Sequence, residues 1–113
     1  MLSLTSSHRY LLYGHPCDMR KSFDALSGLV RSELKRDPLS GDVFLFLNKT
    51  RNRLKLLHWE PGGFVLYYKR LEKGTFTPPV GTMKNTSISW PQLVLMIEGV
   101  LVYKSRQQPR FQA

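Results

Sequence analysis

Residues 43–73, VFLFLNKTRNRLKLLHWEPGGFVLYYKRLEK, decide the fold. Leu, Val, Phe, Tyr and Trp fill three runs, separated by Lys49-Thr50-Arg51-Asn52 and Glu60-Pro61-Gly62-Gly63. Such runs favour strands, and Pro beside paired Gly favours tight turns. The pattern predicts three consecutive antiparallel strands. Four-residue loops would set Asn48 opposite Arg53, Phe46 opposite Lys55 and Phe44 opposite Leu57. In the second hairpin, Trp59 would face Phe64, Leu57 would face Leu66 and Lys55 would face Tyr68.

Side chains alternate between the two faces of a strand. One face then collects Val43, Leu45, Leu47, Leu54, Leu56, His58, Val65, Tyr67 and Lys69, and should meet a helix. The other collects Phe44, Phe46, Trp59, Phe64, Leu66 and Tyr68, interleaved with Arg53, Lys55 and Arg70. A slip of one residue would exchange the two sets.

The 113 residues are enough for one domain, expected over 1–113 with an ordered core of about 9–103 and mobile termini. A chain of this size buries about two-thirds of its unfolded surface and can stand without disulfides or metal. The single cysteine, Cys17, excludes an intramolecular disulfide and suits a reduced, cytoplasmic setting. No apolar run reaches the roughly 18 residues of a membrane span, and MLSLTSSHRY lacks the pattern of a secretory signal. The 17 Lys and Arg against 8 acids, a net charge of +9, favour anionic partners, nucleic acid first.

Ahead of the strands, Arg9 to Tyr13 reads as a short strand closed by Gly14-His15-Pro16. Asp18 has the character of an N-cap. Phe23, Leu26, Val30 and Leu34, with Met19 before them, form one apolar stripe. A long helix is therefore expected from Met19 to about Arg36, with Gly28 marking a close approach to the sheet. Arg20 and Lys21 would lie in its first turn, where the helix dipole disfavours cations. A phosphate would relieve that conflict; the alternative is that both side chains point to water or pair with Asp18 or Asp24. After the strands, residues 74–86 read as an irregular connection in which Thr75 to Thr77 could extend a sheet edge. Ser87 to Ser89 adds a short strand or leads straight into a helix. That helix takes Ser89 as N-cap, Pro91 early, a stripe of Leu93, Val94, Ile97 and Met96, and Gly99 as C-cap. The tail is basic through Lys104, Arg106 and Arg110.

No catalytic constellation emerges. His8, His15 and His58 have no metal-ligand spacing with one another or with Cys17. His58 alternates into the apolar face, as a hydrogen-bonded core histidine does. Cys17 precedes a helix start, where a thiol pKa can fall, but has no identifiable base. Asp18, Asp24 and Glu33 lie around the expected helix and not on one face, which disfavours a shared metal. What stands out is the mixture of cations and rings. Residues 49–73 hold seven Lys or Arg and two acids. Cations neutralise phosphates, and flat rings stack on bases or pack a partner.

Four stretches resemble one family. Asp18-Met19-Arg20-Lys21-Ser22-Phe23-Asp24-Ala25-Leu26 is similar to a DMRK-G-F-D-G-L signature, and Arg53 to Trp59 to R-L-K-L-L-x-W. Phe64 to Gly74 is similar to G-x-x-L-F-Y-K-R-L-E-x-G, and Leu95 to Gly99 to L-x-L-L-E-G. Ser22 and Ala25 replace usual glycines, and His58 stands where Trp is common. The family is the small TnpB, or Orf2-like, accessory protein of IS66 insertion sequences. The resemblance spans about Tyr10 to Gly99 and implies a role in transposition beside a separate large transposase.

The expected fold is α+β: a short N-terminal strand that joins the sheet, a long helix, a three-stranded antiparallel meander and a C-terminal helix. The expected function is a non-catalytic, DNA-binding accessory, cytoplasmic and associated with the nucleoid, needing no cofactor and no metal. Its nucleic-acid contacts would be Arg20, Lys21, Lys49, Arg51, Arg53, Lys55, Lys69, Arg70 and Lys73, mainly to the phosphate backbone. The alternative is an adaptor that binds the transposase through Phe44, Phe46, Trp59 and Tyr68.

Overall fold

The computed structural model describes residues 4–79 and 85–98. Its elements are β1 (Tyr10–Leu12), α1 (Phe23–Ser32), β2 (Val43–Leu47), β3 (Arg53–Glu60), β4 (Gly63–Arg70), β5 (Thr86–Ile88) and α2 (Trp90–Ile97). The five strands form one sheet in the order β4-β3-β2-β1-β5. The expected meander is therefore one part of a larger sheet. β1 runs parallel to β2, with α1 as the crossover that parallel neighbours require. β5 closes the other edge antiparallel to β1.

The hairpin register agrees with the sequence at the five expected pairs within the strands, from Phe44 opposite Leu57 to Trp59 opposite Phe64, and the Asn48 N–H donates to the Arg53 carbonyl at 3.2 Å in the first loop. The second loop is tighter than four residues, because Glu60 and Gly63 pair. Pro61 fixes its own φ, and Gly62 takes φ +97°, the combination of a type II turn.

Both faces of the sheet are covered. α2 packs on Val43, Leu45, Leu47, Leu54 and Leu56 through Leu93, Met96 and Ile97. Phe76, expected in an irregular connection, is 1% exposed and fills the same cluster. α1 packs on Phe44, Phe46 and Leu57 through Leu26, Val30 and the following Leu34. Phe44 and Phe46 are wholly buried, so they leave the expected partner surface and belong to the core. Burying such a ring stabilises by about 1.5–3 kcal/mol relative to exposure, which is why the faces close over them.

The first helix is shorter than expected, ten residues instead of the run from Met19 to Arg36. Its start is set by competition for carbonyls. The Lys55 ammonium, reaching up from β3, donates to the carbonyls of Met19 and Lys21 at 2.7 Å each. A helix beginning at Met19 would have used those oxygens for its own ladder. Ser22, not Asp18, is the N-cap, and its side chain makes no cap bond. At the other end Lys35 takes a left-handed φ of 57°, and the Arg36 N–H closes on the Val30 carbonyl at 3.0 Å. Gly28 is exposed, and an added Cβ would meet nothing within 4 Å, so it marks no close approach. α2 follows the sequence more closely. Ser89 and Gln92 form a capping box with Pro91 in the first turn. The expectations for Gly99 and the basic tail lie outside the described residues.

Candidate nucleic-acid interface

Residues 13–17 continue beside β2 after β1 ends. The Tyr13 N–H donates to the Leu45 carbonyl at 2.9 Å, and the Cys17 N–H to that of Leu47 at 2.8 Å. This carries the chain to the end of the sheet where β2 turns into β3. There Asp18 accepts from the Arg20 N–H at 2.8 Å and from its guanidinium at 2.6 Å. The carboxyl of Asp18 is held well below the usual carboxylate range, first by the side-chain hydrogen bond from Arg20. The acid expected to cap a helix instead orders a tight turn and partners its own neighbour.

The β2–β3 loop is ordered by its polar residues. Asn48 Oδ1 accepts from the Arg53 N–H at 2.9 Å, and Asn48 Nδ2 donates to Asn52 Oδ1 at 2.7 Å. Thr50 Oγ1 donates to Asn52 Oδ1 at 2.9 Å. Arg51 takes φ 58°, and its carbonyl accepts from the Phe76 N–H at 2.7 Å. The Asn48-x-Thr50-x-Asn52 spacing carries the signal for this ordered loop in the sequence.

Between the turn and the loop lies an open cleft of about 510 Å3. Cys17 to Arg20 form one side, Asn48 to Thr50 with Arg53 the other, and Tyr68 of β4 contributes a ring. Tyr68 is 49% exposed. Arg20, Lys49 and Arg53 thus meet on one concavity although they are far apart in sequence. The Arg20 charge is answered by Asp18. Among the described residues, neither Lys49 nor Arg53 has a carboxylate within ion-pair distance. Arg53 also stands directly opposite Arg70 across the β3–β4 ladder. Like charges so placed are destabilising. Glu72 answers Arg70 at 3.1 Å, while Arg53 has no carboxylate partner among the described residues.

The remaining expected cations divide. Lys55 is 6% exposed; its ammonium is enclosed by the two carbonyls and lies 4.8 Å from the Tyr68 ring centroid. It holds the 18–21 turn to the sheet and cannot meet a phosphate without unseating that turn. Lys69 projects to the opposite face, where it donates to the Ile97 carbonyl at the end of α2, at 3.4 Å. A cation is favourable there because the last carbonyls of a helix lack partners. Lys21 gives its carbonyl to Lys55 and does not line the cleft. Arg51 and Lys73 are exposed but do not line the cleft. Trp59 is half-buried and meets Phe64 edge-on at 5.0 Å, with Phe23 6.5 Å beyond.

Two buried residues, Cys17 in the cleft wall and His58 outside the cleft lining, have shifted pKa values. Burial is the main cause that pushes the Cys17 thiol up, the opposite of an activated nucleophile. His58 is 6% exposed, and burial lowers its pKa, helped by His8, whose ring stands 4.9 Å away. The Gly41 backbone is hydrogen-bonded to it, but among the described residues Nδ1 has no hydrogen-bond partner; the nearest Glu60 oxygen is 3.6 Å away. Among the described residues, no group of three His, Cys, Asp or Glu side chains could hold a metal ion, and no helix is long and apolar enough to cross a membrane.

A family model described as IS66 Orf2-like protein matches residues 8–107. Two relatives come from Sinorhizobium fredii. The protein named "Uncharacterized protein y4jC" is 37% identical over 81 residues, which cover 71% of this chain and 69% of that one. "Uncharacterized protein y4hO" is 33% identical over 91 residues, covering 80% and 78%. No solved structure matches the chain.

Proposed function

This chain belongs to the IS66 Orf2-like family of insertion-sequence proteins, and on that premise we propose that it is a non-catalytic accessory of transposition that binds DNA through the cleft. The observation that carries the reading is the presence of Lys49 and Arg53 in the lining of one cleft. Two cations without carboxylate partners among the described residues share one concavity with the Arg20–Asp18 pair. Arg51, Arg70 and Lys73 extend the positive surface beyond it. Phosphate contacts position a protein without reading sequence, so specificity is weak. The work is done at the nucleoid, in the cytoplasm, beside the transposase of the same element.

Fluorescence anisotropy with labelled duplex, single-stranded and transposon-end DNA, between about 50 and 300 mM salt, tests this. The expected result is binding whose log affinity falls linearly with log salt, by about 0.9 per phosphate met on duplex. Absence of binding at the lowest salt would make the charge incidental.

The aromatic group favours a second reading. Phe23, the first residue of α1, is 41% exposed and stands beside Phe64, which Trp59 meets edge-on. In this reading the group docks the transposase and DNA contact is slight. Trp59→Ala would then abolish co-purification with the transposase and leave DNA affinity unchanged.

A further inference from the structure

Resting on the DNA reading, we infer that the cleft takes a nucleotide whose base is unpaired, stacked on the outer face of Tyr68 with its phosphate at Arg53 and Lys49. Tyr68 has two different faces. The buried Lys55 ammonium lies over the ring, 4.8 Å from its centroid. That contact takes the inner face and fixes the ring through a cation–π interaction. The residue is nonetheless 49% exposed and lines the cleft, so its outer face is open. The contact with Lys55 holds the ring in place, which lowers the ordering cost of stacking on it.

The strand geometry supplies the rest. Lys55 is opposite Tyr68 and Arg53 is opposite Arg70. Arg53 and Tyr68 are thus diagonal neighbours on one face, about 7–8 Å apart at the backbone. One nucleotide spans such a separation between its base and a flanking phosphate. The cleft volume of about 510 Å3 lies within the range of small-ligand sites. A base inside a duplex has both faces covered by its neighbours and cannot use the ring. A single strand, a frayed end or a flipped base can.

The inference separates from the DNA reading by substrate and by variant. The measurement is anisotropy with a single-stranded oligonucleotide and with a blunt duplex of the same sequence. A 2-aminopurine in the single strand reports stacking through loss of fluorescence. The wild-type protein is expected to bind the single strand more tightly and to quench the probe. Tyr68→Leu keeps an apolar cover over Lys55 but removes the π face. It should lower single-strand affinity about tenfold and abolish quenching, a larger loss than it causes on the duplex. Tyr68→Phe should behave as wild type, because the hydroxyl is not used. Binding of both DNAs with Tyr68→Leu indistinguishable from wild type would overturn the stacked nucleotide and leave the DNA reading standing. Binding of neither DNA at low salt would overturn both.

Discussion

The two faces of the sheet treat their cations in opposite ways. On the face under α2, aliphatic side chains close against Leu93, Met96 and Ile97, and Lys69 turns inward to the end of that helix. On the face under α1, the helix is short. Phe44 and Phe46 are sealed beneath it, but Arg53, Tyr68 and Arg70 lie beyond its reach. Lys55, at the boundary, is absorbed into the structure by two backbone carbonyls. A positive charge on a strand is therefore not a surface feature by default. Its role depends on whether an unpaired carbonyl lies within reach of its long stem.

That contrast can be broken most severely at Lys55. Lys55→Ala removes two charge-assisted hydrogen bonds to part-buried carbonyls, a loss of about 3 kcal/mol. Urea unfolding should show a lower midpoint, and amide exchange at residues 18–22 should rise. Lys69→Ala loses a single, longer bond at the end of α2, for about 1 kcal/mol in the same assay. Gly28→Ala sharpens the account of α1. The glycine is exposed in a helix interior with open space at its Cβ, so alanine should stabilise by about 0.5–1 kcal/mol. If Gly28 instead marked a close approach, the sign would reverse.

The mildest effect is confined to acid. The His58 pKa is lowered in the fold from the usual histidine value of about 6.5, first by burial. The unfolded chain then binds the proton more readily. The resulting stability is fully present above 6.5 and is lost as pH falls below it. Denaturation curves between about pH 5 and 8 should show this slope, and His58→Gln should flatten it.

Much of this was legible in the sequence because it depends on neighbours along the chain. Alternation and the Pro61-Gly62 turn specify the hairpin register, and Ser89 to Gln92 specify the start of α2. The length of α1 was not legible. Its stripe from Met19 to Leu34 reads as helix, and only the folded chain brings the Lys55 ammonium to the Met19 and Lys21 carbonyls. The same holds for the candidate site. Alternation places Arg53, Lys55 and Arg70 on one face, but it does not reveal that the 18–20 turn descends over Lys55 and leaves Arg53 open. Phe44 and Phe46 share that face with Tyr68, and which of them a ten-residue helix covers is a matter of packing. Phe76 carried no periodic signal, because it fills the core from an irregular segment.

The central claim is that Arg53 and Lys69, one strand apart and equally basic, serve different ends. The direct test is the salt dependence of DNA binding by Arg53→Ala and Lys69→Ala, each checked for fold by circular dichroism. Arg53→Ala should weaken binding across sequences and reduce the slope of log affinity on log salt by about 1, while Lys69→Ala should leave the slope as in wild type. Equal slopes in both variants, or a loss confined to Lys69→Ala, would contradict the assignment of the cleft.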